Sequence, residues 1–99
     1  MLVRWSPAAA DDLQQISEYI RADDPDAAPR VAKRIYDRAA ALGIHPYQGR
    51  HGRVAGTREL PLPPLPFIVV YRILEGAAAV EIVNVIHGAQ RWPPVDQPA

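Results

Sequence analysis

The side chains best suited to chemistry in this sequence are cationic, and most of them lie in its C-terminal half. His87 ends an apolar run, and an imidazole there could supply a proton near neutral pH. The arginines of this half could hold an anionic group: Arg50, Arg53, Arg58, Arg72 and Arg91. Only Lys33 is a lysine, so a catalytic lysine elsewhere is excluded. These residue types indicate proton transfer, anion binding or both.

Arg58, Arg72 and His87 each have two interpretations. The two arginines lie on neighbouring predicted strands and could meet on one sheet face, since cross-strand pairs lie about 5 Å apart at their Cβ atoms. Alternatively, Arg58 pairs with Glu59 on the sheet surface and Arg72 forms a structural ion pair, because a charge inside an apolar run needs a partner or a groove. His87 could likewise be a turn histidine bonded to the backbone. The sequence leaves these alternatives open.

Metal and cofactor sites are not expected. His45 and His51 lie in a loop without carboxylate or cysteine companions at ligand spacing. The absence of cysteine excludes disulfides, a thiolate zinc site and a cysteine nucleophile. We therefore predict no metal and no cofactor.

Composition describes a small domain with balanced charges. The 99 residues are 48% hydrophobic, enough for a single core. Eleven basic and eleven acidic residues give a net charge of zero, which argues against gripping nucleic acid by bulk charge alone. We predict one domain over residues 1–92 and a flexible tail over 93–99. Because the opening Met1–Trp5 stretch is too short for a signal peptide, which needs at least about seven apolar residues, we expect a cytoplasmic protein that enters no membrane.

Two helices are predicted in the first half of the chain. Ser6 can cap and Pro7 fits a first helical position, which predicts a helix over residues 7–22. Asp24-Pro25-Asp26 repeats this device and opens a second helix, so the two form a tight hairpin. Gly43 is predicted to end the second helix in the left-handed conformation. The apolar stripes of the two helices include Leu13, Ile16, Tyr19, Ile20, Val31 and Ile35.

The remaining segments predict strands. A short strand is expected over residues 2–5, another over 54–61, and a central hairpin from the runs 67–74 and 78–86. The proline-rich stretch 60–66 predicts a stiff connection. The resulting order is an α+β fold with an N-terminal strand, a two-helix hairpin and then a three-stranded antiparallel sheet. Since the hairpin strands are apolar at nearly every position, both sheet faces need a cover.

Four local sequences carry a resemblance to a known family. They are Trp5-Ser6-Pro7-Ala8-Ala9-Ala10-Asp11-Asp12-Leu13, then Gly49-Arg50 with Arg58-Glu59-Leu60, then Pro66-Phe67-Ile68-Val69-Val70-Tyr71-Arg72, and Val83-Asn84-Val85-Ile86-His87-Gly88-Ala89-Gln90-Arg91-Trp92. In this order and spacing they resemble the RelE/ParE superfamily over about residues 2 to 92. The resemblance implies the toxin of a type II toxin-antitoxin system, with a cognate antitoxin encoded by an adjacent gene.

The resemblance also implies partners and surfaces. The antitoxin would lie on the helical hairpin in a hetero-oligomer, contacting Leu13, Ile16, Tyr19, Ile20, Val31 and Ile35. The ParE-like branch, which the ending of the chain favours, would bind and inhibit DNA gyrase without catalytic residues. The expected target-binding residues are Arg50, Arg53, Arg58, Arg72, His87, Arg91 and Trp92.

A RelE-like toxin that cuts mRNA on the ribosome is the alternative. It would use Arg58 and Arg72 to stabilise the transition state and His87 to transfer a proton. The lysine-rich loop and strand of that group are absent, and Gly88 follows His87 without that group's tyrosine near the C-terminus. The ParE-like interpretation is therefore favoured.

Overall fold

The computed structural model describes residues 1–94. A short strand, β1 (Leu2–Trp5), precedes two helices, α1 (Pro7–Asp23) and α2 (Ala27–Ala40). The second half contains the strands β2 (Arg50–His51), β3 (Arg58–Pro61), β4 (Phe67–Leu74) and β5 (Ala79–His87). The predicted α+β fold is confirmed, with four strands rather than three after the helices. In the described part of the chain, no helix has the length and apolarity needed to cross a membrane.

The five strands form one sheet in the order β1-β5-β4-β3-β2. β1 runs parallel to β5, and the other neighbours are antiparallel. Both helices pack on one side, which we call the helix face, and the other side is the open face. The main core lies under the helices, and its fully buried members include Ile35, Leu42, Tyr71 and Ile82.

The junction of β1 and α1 is tied to β5. The Ser6 hydroxyl accepts a hydrogen bond from a first-turn amide at 3.0 Å, as a helix cap should, and donates to the carbonyl of Val83 at 2.9 Å. The Asp12 carboxylate accepts from Asn84 Nδ2 and from the Val85 amide, both at 2.9 Å. Here β5 carries an extra residue relative to β4, a β-bulge. Ser6 and Asp12, both in the segment 5–13, therefore hold this bulge.

The ends of α2 differ from the prediction. Asp24 does accept a hydrogen bond from the Ala27 amide at 3.2 Å, but the residues between them form a turn, so the helix begins later than expected. The left-handed conformation predicted for Gly43 is wrong, because this residue belongs to a 3₁₀ turn that continues the helix. A Cβ atom at Gly43 would lie 2.6 Å from the Met1 carbonyl oxygen. The glycine is needed for close contact with β1 rather than for a left-handed cap.

The strand predicted over residues 54–61 is only half as long in the structure. The carbonyl of Val54 accepts from both the amide and the hydroxyl of Thr57, and Gly56 adopts a φ of 79°. Glycine adopts this left-handed conformation without steric cost, so the chain reverses there. β2, inside the segment predicted as a loop, then pairs with β3. The predicted hairpin of β4 and β5 is confirmed to within one residue at its ends.

A second apolar cluster covers part of the open face. Ile68, Val70 and Ile86 are buried there, and the partly buried Val83 and Trp92 pack against them. Trp92, from the C-terminal segment of the same chain, thus covers part of the open face, which was predicted to need a cover. The tail predicted over 93–99 falls outside the described residues from position 95 onwards.

Candidate functional site

Arg58 and Arg72 do not meet on one sheet face, which excludes one of the two alternatives that the sequence left open. Arg58 lies directly opposite Tyr71 in the β3–β4 pairing. Opposite residues share a face and successive residues alternate, so Arg72 projects from the other side of the sheet. Arg58 lies on the helix face and Arg72 on the open face.

Arg72 is held by a carboxylate on β5. It stands opposite Glu81, and both its Nε and Nη2 atoms donate to Glu81 Oε1, the Nε bond at 3.2 Å. About half of the Arg72 side chain remains exposed, 48%. The arginine therefore has the structural ion pair that was one of its two interpretations, and it still presents guanidinium surface to solvent.

His87 lies at the far end of β5, away from both arginines. Its Nδ1 accepts a hydrogen bond from the Ala89 amide at 3.0 Å, and its ring packs edge-on against Phe67. Since His87 pairs with Phe67, Arg72 is five residues further along β4, about 16 Å at the usual rise per residue. The three residues considered for catalysis thus do not converge on one reacting centre.

A buried carboxylate, which sequence reasoning missed, organises Arg50 and Arg53. Glu59 is 1% exposed and lies opposite Arg50 in the β2–β3 hairpin. It accepts from the Arg53 amide at 2.8 Å, from two atoms of the Arg53 guanidinium at 3.0 and 3.2 Å, and from Arg50 at 3.3 Å. Burial by itself raises the pKa of Glu59, but these hydrogen bonds outweigh it and hold the pKa below its ordinary value. The cluster fixes both guanidiniums at the edge of the sheet.

Arg58 belongs to a separate cluster on the helix face. Its Nη1 donates to the Gly49 carbonyl at 2.7 Å, and its guanidinium carbon lies 5.0 Å from the centre of the Tyr47 ring. The Tyr71 hydroxyl accepts from the Gly49 amide at 2.9 Å and donates to the Pro46 carbonyl at 2.7 Å. Burial raises the pKa of Tyr71, which keeps the phenol neutral and able to donate. These contacts use Arg58 to anchor the loop after α2.

Tyr47 connects this loop to the turn between β4 and β5. Its hydroxyl donates to Glu75 at 2.6 Å, and this bond together with the carboxylate charge raises the pKa of Tyr47. Nothing in the sequence indicated that Tyr47 and Glu75 are in contact, because they are 28 residues apart and the fold of the sheet brings them together.

An apolar groove of about 440 Å³ runs between the helical hairpin and the start of β4. Its lining includes four residues expected to contact an antitoxin, Ile16, Tyr19, Ile20 and Val31. Leu65, Pro66, Phe67 and His87, from outside the hairpin, complete the groove and were not expected there.

Two other residues expected on this surface have different environments. Ile35 is fully buried in the core, so it is withdrawn from any surface that a partner could contact in this fold. Leu13 is partly buried and packs against the same core.

The remaining predicted target-binding residues lie beyond β5. Arg91 is exposed, and Trp92 is partly buried over the open-face cluster. Within residues 1–94, no group of three or more histidine, cysteine, aspartate or glutamate side chains is arranged to hold a metal ion.

Comparison with known proteins places this geometry in a family. A family model of the ParE toxin of the type II toxin-antitoxin system parDE matches residues 3–92. The Sinorhizobium fredii (strain NBRC 101917 / NGR234) protein named Putative toxin Y4kP is 46% identical over 93 residues, which are 94% of each chain.

Solved structures share the fold. The chromosomal ParDE toxin-antitoxin system from P. aeruginosa gives a TM-score of 0.79 at 24% identity, covering 88% of this chain and 95% of that chain. The RelBE2 toxin-antitoxin complex from Mycobacterium tuberculosis gives 0.68 at 24% identity, covering 90% and 92%. With the family model matched over nearly its whole length, the chain belongs to the ParE toxin family of type II toxin-antitoxin systems.

Proposed function

We propose that this protein is a toxin that inhibits DNA gyrase by binding to it, and that a cognate antitoxin neutralises it in a hetero-oligomer. Membership of the ParE family supports the toxin role. The solved proteins of similar fold are named as a toxin-antitoxin system and a toxin-antitoxin complex, which supports an antitoxin partner. The proposed place of action is the cytoplasm.

The main observation that favours a binding toxin over a nuclease is the distance between Arg58, Arg72 and His87. Cleavage of RNA needs a proton-transfer group and transition-state cations within hydrogen-bond reach of one phosphate. Here the two arginines lie on opposite sheet faces, and His87 is about 16 Å along β4 from Arg72. The arginines are also bonded to other groups, Arg58 to Gly49 and Arg72 to Glu81. Such a set can contribute to affinity but is poorly placed for catalysis.

The apolar groove is the proposed seat of the antitoxin. Tyr19, 79% exposed, leaves a large apolar ring in water at its rim. An amphipathic segment laid into such a groove would bury its apolar anchors against Ile16, Ile20 and Phe67. The groove therefore has the shape and chemistry of a helix-in-groove site.

A supercoiling assay tests the proposed target. Purified toxin is expected to inhibit supercoiling by purified DNA gyrase or to accumulate cleaved DNA, and addition of the protein encoded next to its gene is expected to restore activity. Ribosome-dependent cuts in mRNA, with gyrase unaffected, would instead support the endoribonuclease alternative.

A growth assay tests the antitoxin. Expression of this chain alone is expected to slow a bacterial host, and co-expression of the neighbouring small gene is expected to restore growth. Tyr19→Ala should weaken the rescue, because it removes an exposed ring from the groove. Tyr36→Ala is the control: its ring is 55% exposed, stacks on Trp5 and does not line the groove, so rescue should be retained once folding has been confirmed. Unimpeded growth at confirmed soluble expression would refute the toxin role.

A further inference from the structure

The open face of the sheet has an apolar centre and a charged border. Ile68, Val70 and Ile86 form the centre, with Trp92 packed over them. The border consists of guanidiniums held by carboxylates of the same face. Tryptophan and arginine are the residue types most enriched among the side chains that dominate protein–protein affinity.

The border has an excess of positive charge. Arg4 and Arg72 stand on either side of Glu81 in the strand register, and Arg50 and Arg53 both bond Glu59. Asp12 lines the cavity beside Trp92 and adds a third carboxylate to the border. Four guanidiniums thus stand against three carboxylates: Arg4, Arg50, Arg53 and Arg72 against Asp12, Glu59 and Glu81. This excess suits a partner with a negatively charged surface.

Among the described residues, Trp92 packs on the apolar cluster formed by Ile68, Val70 and Ile86. Its indole Nε1 is buried, and no hydrogen-bond acceptor reaches it within the described residues. An unsatisfied buried donor weakens the packing of the side chain that carries it. Because residues 88–94 form turns rather than a helix or strand, the indole can turn towards a partner that supplies an acceptor.

We propose that this open face, centred on Trp92 and bordered by Arg50 and Arg72, is the surface with which the toxin binds an acidic, partly apolar surface of its protein target. The inference rests on the proposed function and adds the location and chemistry of target binding. A protein is favoured over nucleic acid because a phosphodiester backbone offers nothing to bury the apolar centre. The antitoxin groove opens on the helix face, and Trp92 adjoins it, because Trp92 lines a cavity together with Ile16 and His87 of the groove. Arg72 lies five residues along β4 from the groove residue Phe67, so the far part of the open face is separate from the groove.

Binding measurements on purified full-length variants test this assignment. We expect Trp92→Ala and Arg72→Ala each to weaken binding to purified DNA gyrase about tenfold or more, as for contact residues that dominate an interface. Affinity for the antitoxin should change by less than about threefold for Arg72→Ala, whose side chain lies away from the groove. The matched control Arg34→Ala, an exposed arginine of α2, should change gyrase binding by less than about twofold. Raising the salt concentration should weaken gyrase binding of the wild type more than that of Arg72→Ala.

Each other outcome overturns the assignment. Wild-type toxin that fails to bind gyrase refutes the proposed function and this inference together. Wild-type binding that survives both substitutions refutes the inference alone, and so does an equal loss of antitoxin affinity for Arg72→Ala. Arg72-dependent binding to duplex DNA without gyrase would assign the face to nucleic acid. Where Trp92→Ala does not fold, as judged by thermal unfolding, Trp92→Phe keeps the apolar contact and removes only the donor, and it should still weaken gyrase binding.

Discussion

Arg53 and Glu59 are joined by three hydrogen bonds, two from the guanidinium and one from the backbone amide of the arginine. The carboxylate is almost entirely buried, whereas its arginine partner is 43% exposed. Hydrogen bonds from this many donors favour the ionised carboxylate, because protonation would leave donors without a full acceptor. The pair therefore makes the stability of the β2–β3 hairpin dependent on pH.

The first prediction concerns the acid side of the stability profile. The pKa of Glu59 is lower in the folded protein than in the unfolded chain, where a glutamate titrates at about 4.3. Its stabilisation is thus complete above that pH and lost as the pH falls through the lower folded pKa. In urea denaturation, Glu59→Gln should lose about 2 kcal/mol at pH 7, and the difference from wild type should shrink below about pH 4.

Glu81→Gln is the matched control for this prediction. Glu81 also pairs with an arginine, but 27% of its side chain is exposed. Exposed pairs contribute under about 1 kcal/mol, so its substitution should have a smaller effect at pH 7. Equal losses for the two variants would contradict the special role of the buried carboxylate.

The second prediction concerns the contact between α1 and the bulge of β5. Asp12→Ala removes the acceptor of two partly buried donors, Asn84 Nδ2 and the Val85 amide, and should destabilise the fold by about 2 kcal/mol. Asp11→Ala is the control, because within residues 1–94 the Asp11 side chain accepts only from the exposed Gln15. This substitution should change stability by less than about 0.5 kcal/mol. Chemical denaturation of both variants measures the difference. Similar values would show that the Asp12 contact does not contribute to folding.

The contrast between these two aspartates shows what the sequence could predict. The capping serine, the following proline and the apolar spacing of α1 are local signals, and they placed the helix correctly. The role of Asp12 depends on a residue 72 positions away, so no local pattern distinguishes it from Asp11. The central hairpin was also predictable from local signals, namely two apolar runs joined by a short turn.

The relative placement of Arg58 and Arg72 could not be predicted because it depends on the register of the strands. A shift of one residue moves a side chain to the other sheet face, and the sequence did not fix which residue stands opposite Arg58. Glu59 was missed because β2 is only two residues long, so nothing marked Arg50 as its partner. Gly43 was misassigned because the contact with Met1 competes with the local rule for helix ends.

The third prediction tests the close approach of the loop to β4. A Cβ atom at Gly49 would lie 2.7 Å from the Tyr71 hydroxyl and 2.8 Å from the Glu59 carbonyl oxygen. Gly49→Ala should therefore destabilise the fold by about 2 kcal/mol, by separating the loop from its buried tyrosine. A Cβ atom at Gly76 would meet no atom within 4 Å among residues 1–94 apart from its own chain neighbours, so Gly76→Ala should be close to neutral in the same thermal unfolding assay. A neutral Gly49→Ala would show that the loop packs less closely than these distances indicate.

The fourth prediction uses Arg72 and His87 to separate binding from catalysis. If the toxin acts by binding, Arg72→Ala and His87→Ala can reduce inhibition only through affinity, so the loss of gyrase inhibition should track the loss of gyrase binding for both. If it acted as a nuclease, each substitution would lower the cleavage rate by roughly 10² to 10⁴ and leave ribosome affinity nearly intact.

The measurement is a pull-down of gyrase and of ribosomes with each variant, beside its toxicity in growing cells. The stability of each variant must be compared with that of the wild type first. Both side chains are exposed, and within residues 1–94 the His87 side chain bonds only the Ala89 amide. The free energy of unfolding is therefore expected to fall by about 1 kcal/mol or less. Under the binding mechanism, the amount of toxin needed for half-inhibition rises by the same factor as the dissociation constant. A variant that binds its target at full strength and is nevertheless harmless would contradict that mechanism, because it would show that the side chain acts after binding.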